Sequence, residues 1–409
     1  MKRMLLSLAI LLLLPSAVSA TEYYVDCSAS SNGDGSFSSP WNSVVSVNNY
    51  NFNTGNDVYF KVDTTCTMSA TLQIDWDGSS GDWITIGAYY GDGQFGLNGN
   101  PRPTLDGTST VPSGDSGLIR KNSGIGYIEV KDLHIYRSGW TGIVMKEVDD
   151  ITIENNYVSY SEHNGIWAGG CADLTITKNV VEQNAQVNNP NKQFNMGTLV
   201  ASGSDSVTTG AVISYNRIFN NFGSEVLSIF AKLDGAIVEY NVIYDNEHAN
   251  IALYSNACED EIIRHNLVYS SSDIGNWKNP SGIVMGNEAS NGYCHTGDAN
   301  IYGNLVAGTK TGITTGAELS GCSQSDNCFY NNALVDTTEY NIRIWSSGLG
   351  GSGNEIKNNI FWSITGDGVN ANTYSPSGYA WSNNLFYGDG SVTGNAATNA
   401  IFANPLLNK

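Results

Sequence analysis

One phrase recurs along this chain and restricts its fold more than any other feature: a short β-branched strand, an asparagine, then two further apolar residues. The asparagines are Asn156, Asn179, Asn216, Asn241, Asn266, Asn304, Asn332, Asn359 and Asn384, and an earlier copy carries Leu133 at the same place. The steps from Asn156 onward are 23, 37, 25, 25, 38, 28, 27 and 25 residues. Six of them fall within a narrow band, and the other two exceed it by roughly one loop each. A repeat of this length identifies a solenoid, because each unit is too small to bury its own apolar face and must stack on its neighbours. Alternating β-branched strands, with Gly, Asn, Asp and Ser between them and no helical period, make the coils β.

The asparagine then has a structural task. It stands at a bend between strands, where a left-handed backbone is often required and Asn accepts it. Pointing inward, stacked amides can hydrogen-bond along the axis and satisfy one another. The expected fold is an all-β, right-handed, single-stranded parallel β-helix of about ten or more coils, one domain over residues 21–409. A solenoid needs closed ends. The segment Pro40–Val47 supplies a candidate capping helix, and the tail from Ile401 to Leu407 reads as a closing strand.

Residues 1–20 resemble an export signal: Lys2 and Arg3, an apolar run from Met4 to Leu14, then small residues ending at Ala20, where cleavage is expected. This predicts a secreted or periplasmic protein with no membrane span. Acidic residues outnumber basic ones 39 to 19, a formal net charge of −20. That surface argues against nucleic acid, which needs basic contacts for its phosphates, and against anionic membranes. The chain is expected to act as a monomer.

The opening segment Tyr23–Asp26, with Gly33-Asp34-Gly35 and Ser39-Pro40-Trp41, resembles right-handed β-helix proteins of the pectate-lyase-like superfamily. So do Trp83–Tyr89, Pro103–Gly107 and the asparagine repeats. The resemblance covers nearly the whole mature chain and is specific for fold. It implies a polysaccharide partner. It does not choose a reaction, because that superfamily holds lyases, glycoside hydrolases, uronate epimerases and non-catalytic surface proteins.

Counting from the ladder position places chemistry-bearing residues in register. An apolar anchor stands ten residues on, at Ile143, Ile166, Val226, Ile251 and Ile342. Strand alternation then predicts the preceding residues as outward: Gly142, Gly165, Glu225, Asn250 and Asn341. Seven residues after the ladder stand Trp140, His163, Gly223 and His248. Trp167, Lys146 and Tyr254 follow the anchor. These residues should share one face of the coils between Leu133 and Asn266, walled by loops at 183–196 and 270–281. Trp140, Trp167 and Tyr254 offer flat surfaces for sugar rings.

A lyase needs a base for the proton α to a uronate carboxylate, a group that neutralises that carboxylate, and an acid for the leaving oxygen. His163, His248, Lys146, Lys232, Arg264 and Tyr254 are the candidates. Ca²⁺ can also neutralise a uronate, and Asp149, Asp150, Asp173, Asp234 and Asp260 recur at one turn where carboxylates could collect it. A hydrolase needs two carboxylates instead, and Glu225 with Asp245 is the candidate pair. The leading expectation is a polysaccharide lyase acting on a uronate polymer, with a hydrolase, an epimerase or a binding protein as alternatives.

Seven cysteines in an exported chain permit disulfides and leave an odd thiol. Cys294 and Cys322 each lie ten before a ladder asparagine on neighbouring coils and could pair, with Cys328 competing for Cys322. Cys27 and Cys66 could clip the N-terminal cap. Cys171 and Cys258 share a register but are three coils apart, too far to bond.

Overall fold

The structure is a computed structural model, and it describes residues 21–113, 116–186, 196–201, 207–223, 225–230, 233–254, 258–271, 280–286, 295–316, 323–345, 351–363, 367–370, 378–388 and 400–402. Each coil contributes one short strand to each of three long parallel sheets. The first sheet runs from Glu22–Val25 through Ile151–Glu154 and Leu174–Thr177 to Tyr379–Ser382. The second contains Tyr157–Ser159, Arg217–Phe219 and Val242–Tyr244 and ends at Ile401–Phe402. The third contains Thr141–Val148, Ile166–Gly169, Glu225–Phe230 and Ala249–Tyr254. A fourth, short sheet of 5 strands closes the corner between the third sheet and the first. Parallel pairing between corresponding strands of successive coils is what the repeat required.

The ladder is present and continuous. Asn156 takes Asn179 as acceptor, and the same bond repeats through Asn216, Asn241, Asn266, Asn304, Asn332 and Asn359 to Asn384, each amide donating at 3.0–3.1 Å to the next carbonyl oxygen. Each side-chain oxygen also accepts the backbone N–H of the preceding rung, as Asn241 does from Asn216 at 2.9 Å. The left-handed conformation falls one residue earlier than expected, on Asn155, Lys178, Tyr215, Tyr240, His265, Asn331, Asn358 and Asn383. The bend is made there, which leaves the ladder asparagine free to aim its side chain inward.

A second ladder lies five residues after the first. Asn184 bonds Asn221 and Asn221 bonds Asn246 through their amides at 3.1 and 3.2 Å, at the corner where the second sheet turns into the third. Ser161 donates its backbone N–H to Asn184 at 3.0 Å and begins the row. Between the ladders the interior is aliphatic: Ile153, Val158, Ile166, Ile213, Ile218, Leu227 and Ile251 are among its fully buried residues. The N-terminal end is closed by the helix Val44–Asn48, which turns Val44 and Val47 into this core. Cys27 and Cys66 form a disulfide there, with Cα atoms 5.1 Å apart. Cys171 and Cys328 are not disulfide-bonded. The expected pairing of Cys294 with Cys322 lies outside the described residues. No helix among the described residues is long and apolar enough to cross a membrane.

Candidate functional site

The rim between the second and third sheets brings the most chemistry together. Its geometry follows from the coil. After the strand His134–Tyr136, Arg137 takes a positive φ of 49° and turns the chain, and Tyr160 does the same one coil later at 60°. Ser138 and Ser161 then point inward and are fully buried. Ser138 Oγ donates to the Thr141 carbonyl at 2.7 Å and accepts the Trp140 N–H at 3.3 Å, which fixes the turn carrying Trp140. The His163 N–H bonds the Trp140 carbonyl at 2.9 Å. The Trp140 and His163 rings therefore stack, centroids 4.5 Å apart and planes 11° from parallel.

The same two coils carry two tyrosines and a cation just before this turn. Tyr136 and Tyr160 meet edge to face at 5.6 Å. The Arg137 guanidinium lies 4.8 Å from the centre of the Tyr136 ring and forms a two-point ion pair with Asp106, through Nε at 3.0 Å and through Nη2. Two points leave the rest of its five donors for another anion. The Asp106 carboxylate raises the arginine's pKa, so its charge is permanent.

Inboard of this group, on the second sheet, lies His134. Its Nδ1 is 3.3 Å from Thr104 Oγ1 and its Nε2 is 3.0 Å from Ser159 Oγ. Its ring stacks on Tyr157 at 4.6 Å. Burial, with Arg102 nearby, lowers its pKa to about 4, so it is neutral at physiological pH. Tyr157 donates to Glu182 at 2.7 Å, and burial with that carboxylate keeps the phenol protonated.

The remaining expected residues distribute unevenly. Glu225 pairs with Ala249 in the third sheet, not with Asn250, and the anchor opposite Ile251 is Leu227 rather than Val226. The coil after Asn216 is one residue longer before this strand, which shifts the count. Gly142, Asn250 and Asn341 are not outward. Asn250 and Asn341 are fully buried, and a Cβ on Gly142 would strike Val158 at 2.7 Å. Each is the second residue of its strand, so the inward direction there runs against simple alternation with the apolar anchor that follows. Half-buried His248 precedes the strand Ala249–Tyr254. Asp245 occupies the left-handed turn and is bonded twice by Ser271, at 2.6 Å from N–H and from Oγ. Glu247, almost buried, accepts the Gly223 N–H at 3.1 Å.

Trp167 sits in register with Val144 on the third sheet, and Lys146, in register with Gly169, has its ammonium 3.9 Å from Glu147. Tyr254 closes its strand opposite Phe230, with its side chain outside the described part. Lys232 lies outside the described residues, as do 187–195 and 272–279 of the two expected wall loops. Arg264 is not on this face. It projects from the first sheet, bonded to Glu239 at 2.6 Å and to the Tyr302 hydroxyl at 2.9 Å.

Asp150, Asp173 and Asp260 adopt φ of 51°, 51° and 64° at the corner entering the first sheet, a conformation Asp tolerates better than most residues. Asp149 accepts the Ala172 N–H at 3.0 Å, and Asp234 faces Glu259 across the fourth sheet. Among the described residues no group of three or more His, Cys, Asp or Glu side chains is arranged to hold a metal. Asp150, Asp173 and Asp260 thus serve the turns that carry them.

Comparison with known proteins agrees on architecture. A family model described as a right-handed beta helix region matches residues 116–292. No curated protein matches. An alginate lyase from Paenibacillus sp. str. FPU-7 superposes with a TM-score of 0.55 at 16% identity, over 82% of this chain and 99% of that one. A rhamnogalacturonan lyase superposes at 0.53 and 14% identity, over 85% and 83%. The Agl-KA catalytic domain gives 0.54 at 16% identity, over 85% of this chain and 59% of that one. Likeness at this level shows the right-handed β-helix fold.

Proposed function

We propose that the protein is an exported polysaccharide lyase that cleaves a uronate-containing polymer by β-elimination at the rim between the second and third sheets. The observation that carries the reading is the stacked pair Trp140 and His163, with Arg137, Tyr136 and Tyr160 on the same two coils. Elimination needs a base, an acid, a fixed cation and a surface for a sugar ring, and these residues are of those types. His163 removes the proton from the carbon bearing the carboxylate. Arg137 binds that carboxylate and stabilises the carbanion. The electron pair forms the new carbon–carbon double bond as the glycosidic C–O bond breaks, and Tyr160 gives its proton to the leaving oxygen. No water is consumed.

Two further points support the reading. Two of the superposed β-helix structures are an alginate lyase and a rhamnogalacturonan lyase. The signal-like start and the Cys27–Cys66 disulfide suit an oxidising compartment. The test is to incubate the protein with acidic and neutral polysaccharides, with and without Ca²⁺, and to follow the near-ultraviolet absorbance of unsaturated uronate ends. Growth of that absorbance on an acidic polymer is the expected result. New reducing ends without absorbance would mean hydrolysis and overturn the proposal.

A further inference from the structure

The corner across the second sheet from the rim carries a second feature. Its left-handed position is filled in chain order by Asp132, Asn155, Lys178, Tyr215, Tyr240, His265, Gly303, Asn331, Asn358 and Asn383. Asp, Asn and Gly are the residues that accept this backbone cheaply. They occupy both ends of the column, while four consecutive middle coils depart from them. Tyr215, Tyr240 and His265 hold φ of 57°, 55° and 56°, where a bulky side chain is strained. Burial does not offset that strain, because Tyr215 is 57% and Tyr240 43% exposed, and Lys178 and His265 are exposed beside them.

The rings form one ribbon. Tyr215 and Tyr240 stack at 5.2 Å and 8°, and Tyr240 and His265 at 5.2 Å and 20°. Cations border it on a strongly acidic protein. Lys178 precedes Tyr215 in the column, and Arg264 adjoins His265. Lys178 and Arg264 are held by Glu154 at 2.7 Å and Glu239 at 2.6 Å, which orients them. Exposed aromatic rings flanked by oriented cations suit a ligand with both an apolar ring face and a carboxylate.

We infer that the ribbon Lys178–Tyr215–Tyr240–His265 is a second binding site for an acidic polysaccharide, separate from the rim and holding the polymer without cleaving it. This rests on the reading of the protein as acting on such a polymer. The test uses the double variant Tyr215→Asn with Tyr240→Asn, which installs the residue that other coils use at the same turn. The full chain is run by affinity electrophoresis through gels containing a polyuronate or a neutral polysaccharide, and its kinetics are measured on long polymer and on short oligosaccharide. The expected result is a loss of retardation by polyuronate and a KM on long polymer raised about tenfold. Turnover of short oligosaccharide stays unchanged, and the melting temperature is not lowered.

Equal retardation of the double variant and the wild type would overturn the inference and leave the lyase reading standing. A wild-type chain retarded by no polymer would overturn both. Retardation by neutral polymers alone would remove the assignment to an acidic sugar. The variant His163→Ala, which leaves the ribbon intact, keeps its retardation while activity falls.

Discussion

The indole of Trp140 and the imidazole of His163 lie parallel, 4.5 Å apart, on consecutive coils of the solenoid. Stacking holds the imidazole at a fixed height on the rim. Replacing His163 with Ala should lower kcat on an acidic polysaccharide by about 10²–10⁴, the usual contribution of a positioned general base. Trp140→Phe retains a ring against the imidazole and should cost less than Trp140→Ala. Initial rates of unsaturated-end formation check both, and full activity in His163→Ala would move the site elsewhere.

The ladder should fail at its middle more readily than at its end. Asn241 Oδ1 accepts from the Asn216 backbone and amide at 2.9 and 3.0 Å, and its own amide donates to Asn266 Oδ1 at 3.0 Å and to the Ile213 carbonyl at 2.9 Å. Asn241→Ala strands several buried groups at once, which should cost about 3–5 kcal/mol. Asn384 accepts from Asn359 and donates to the Ile356 carbonyl but has no described rung beyond it, so Asn384→Ala should cost less. Chemical denaturation of the two variants measures the difference, and equal losses would mean the ladder does not act as a continuous row.

The first ladder was legible in the sequence because its period is set by backbone geometry, which every coil must repeat. The second ladder follows the same logic. Asn184, Asn221 and Asn246 each stand five residues after a first-ladder asparagine, and Ser138 and Ser161 in the earlier coils, with Ser271, Thr309 and Thr337 in the later ones, hide the row. The rim was half legible. Trp140 and His163 fall at a constant offset because their turn has constant length. Glu225 does not, because one added residue after Asn216 shifts it against its neighbours. His134 and Tyr157 also carried a signal, since each directly follows a ladder position. Arg264 was misplaced because an offset from the ladder gives the distance along a coil but not which of three sheets a side chain leaves from.

Asp57 should make the N-terminal coils less stable as pH rises. Burial lifts its pKa from the ordinary 3.8 to about 6, although it accepts the Thr85 N–H at 2.6 Å and the Tyr59 hydroxyl at 3.2 Å. Between those values the folded chain keeps a proton that the unfolded chain has lost, so stability falls by up to about 3 kcal/mol as pH rises through the window and stays lower above it. Asp57→Asn keeps an acceptor for Thr85 and cannot ionise. It should raise the melting temperature above pH 6 and have little effect near pH 4. A constant gain at both values would mean the benefit is not one of charge.

His134 should act in the opposite direction over the same range. Burial first, and Arg102 second, hold its pKa down at about 4, from the ordinary 6.5. As pH falls between those values the unfolded chain binds a proton that the folded chain refuses, so stability is lost on acidification, by up to about 3 kcal/mol. In the wild type this loss offsets the Asp57 term and flattens the dependence between pH 4 and 6. His134→Gln removes one side of the balance and retains groups able to bond Thr104 and Ser159. The variant should then lose stability as pH rises from 4 to 6, with a slope absent from the wild type, and the double variant with Asp57→Asn should be flat again. Denaturation midpoints at three or four pH values across the window test this, and a slope in His134→Gln that matches the wild type would show that the imidazole titrates normally in the fold.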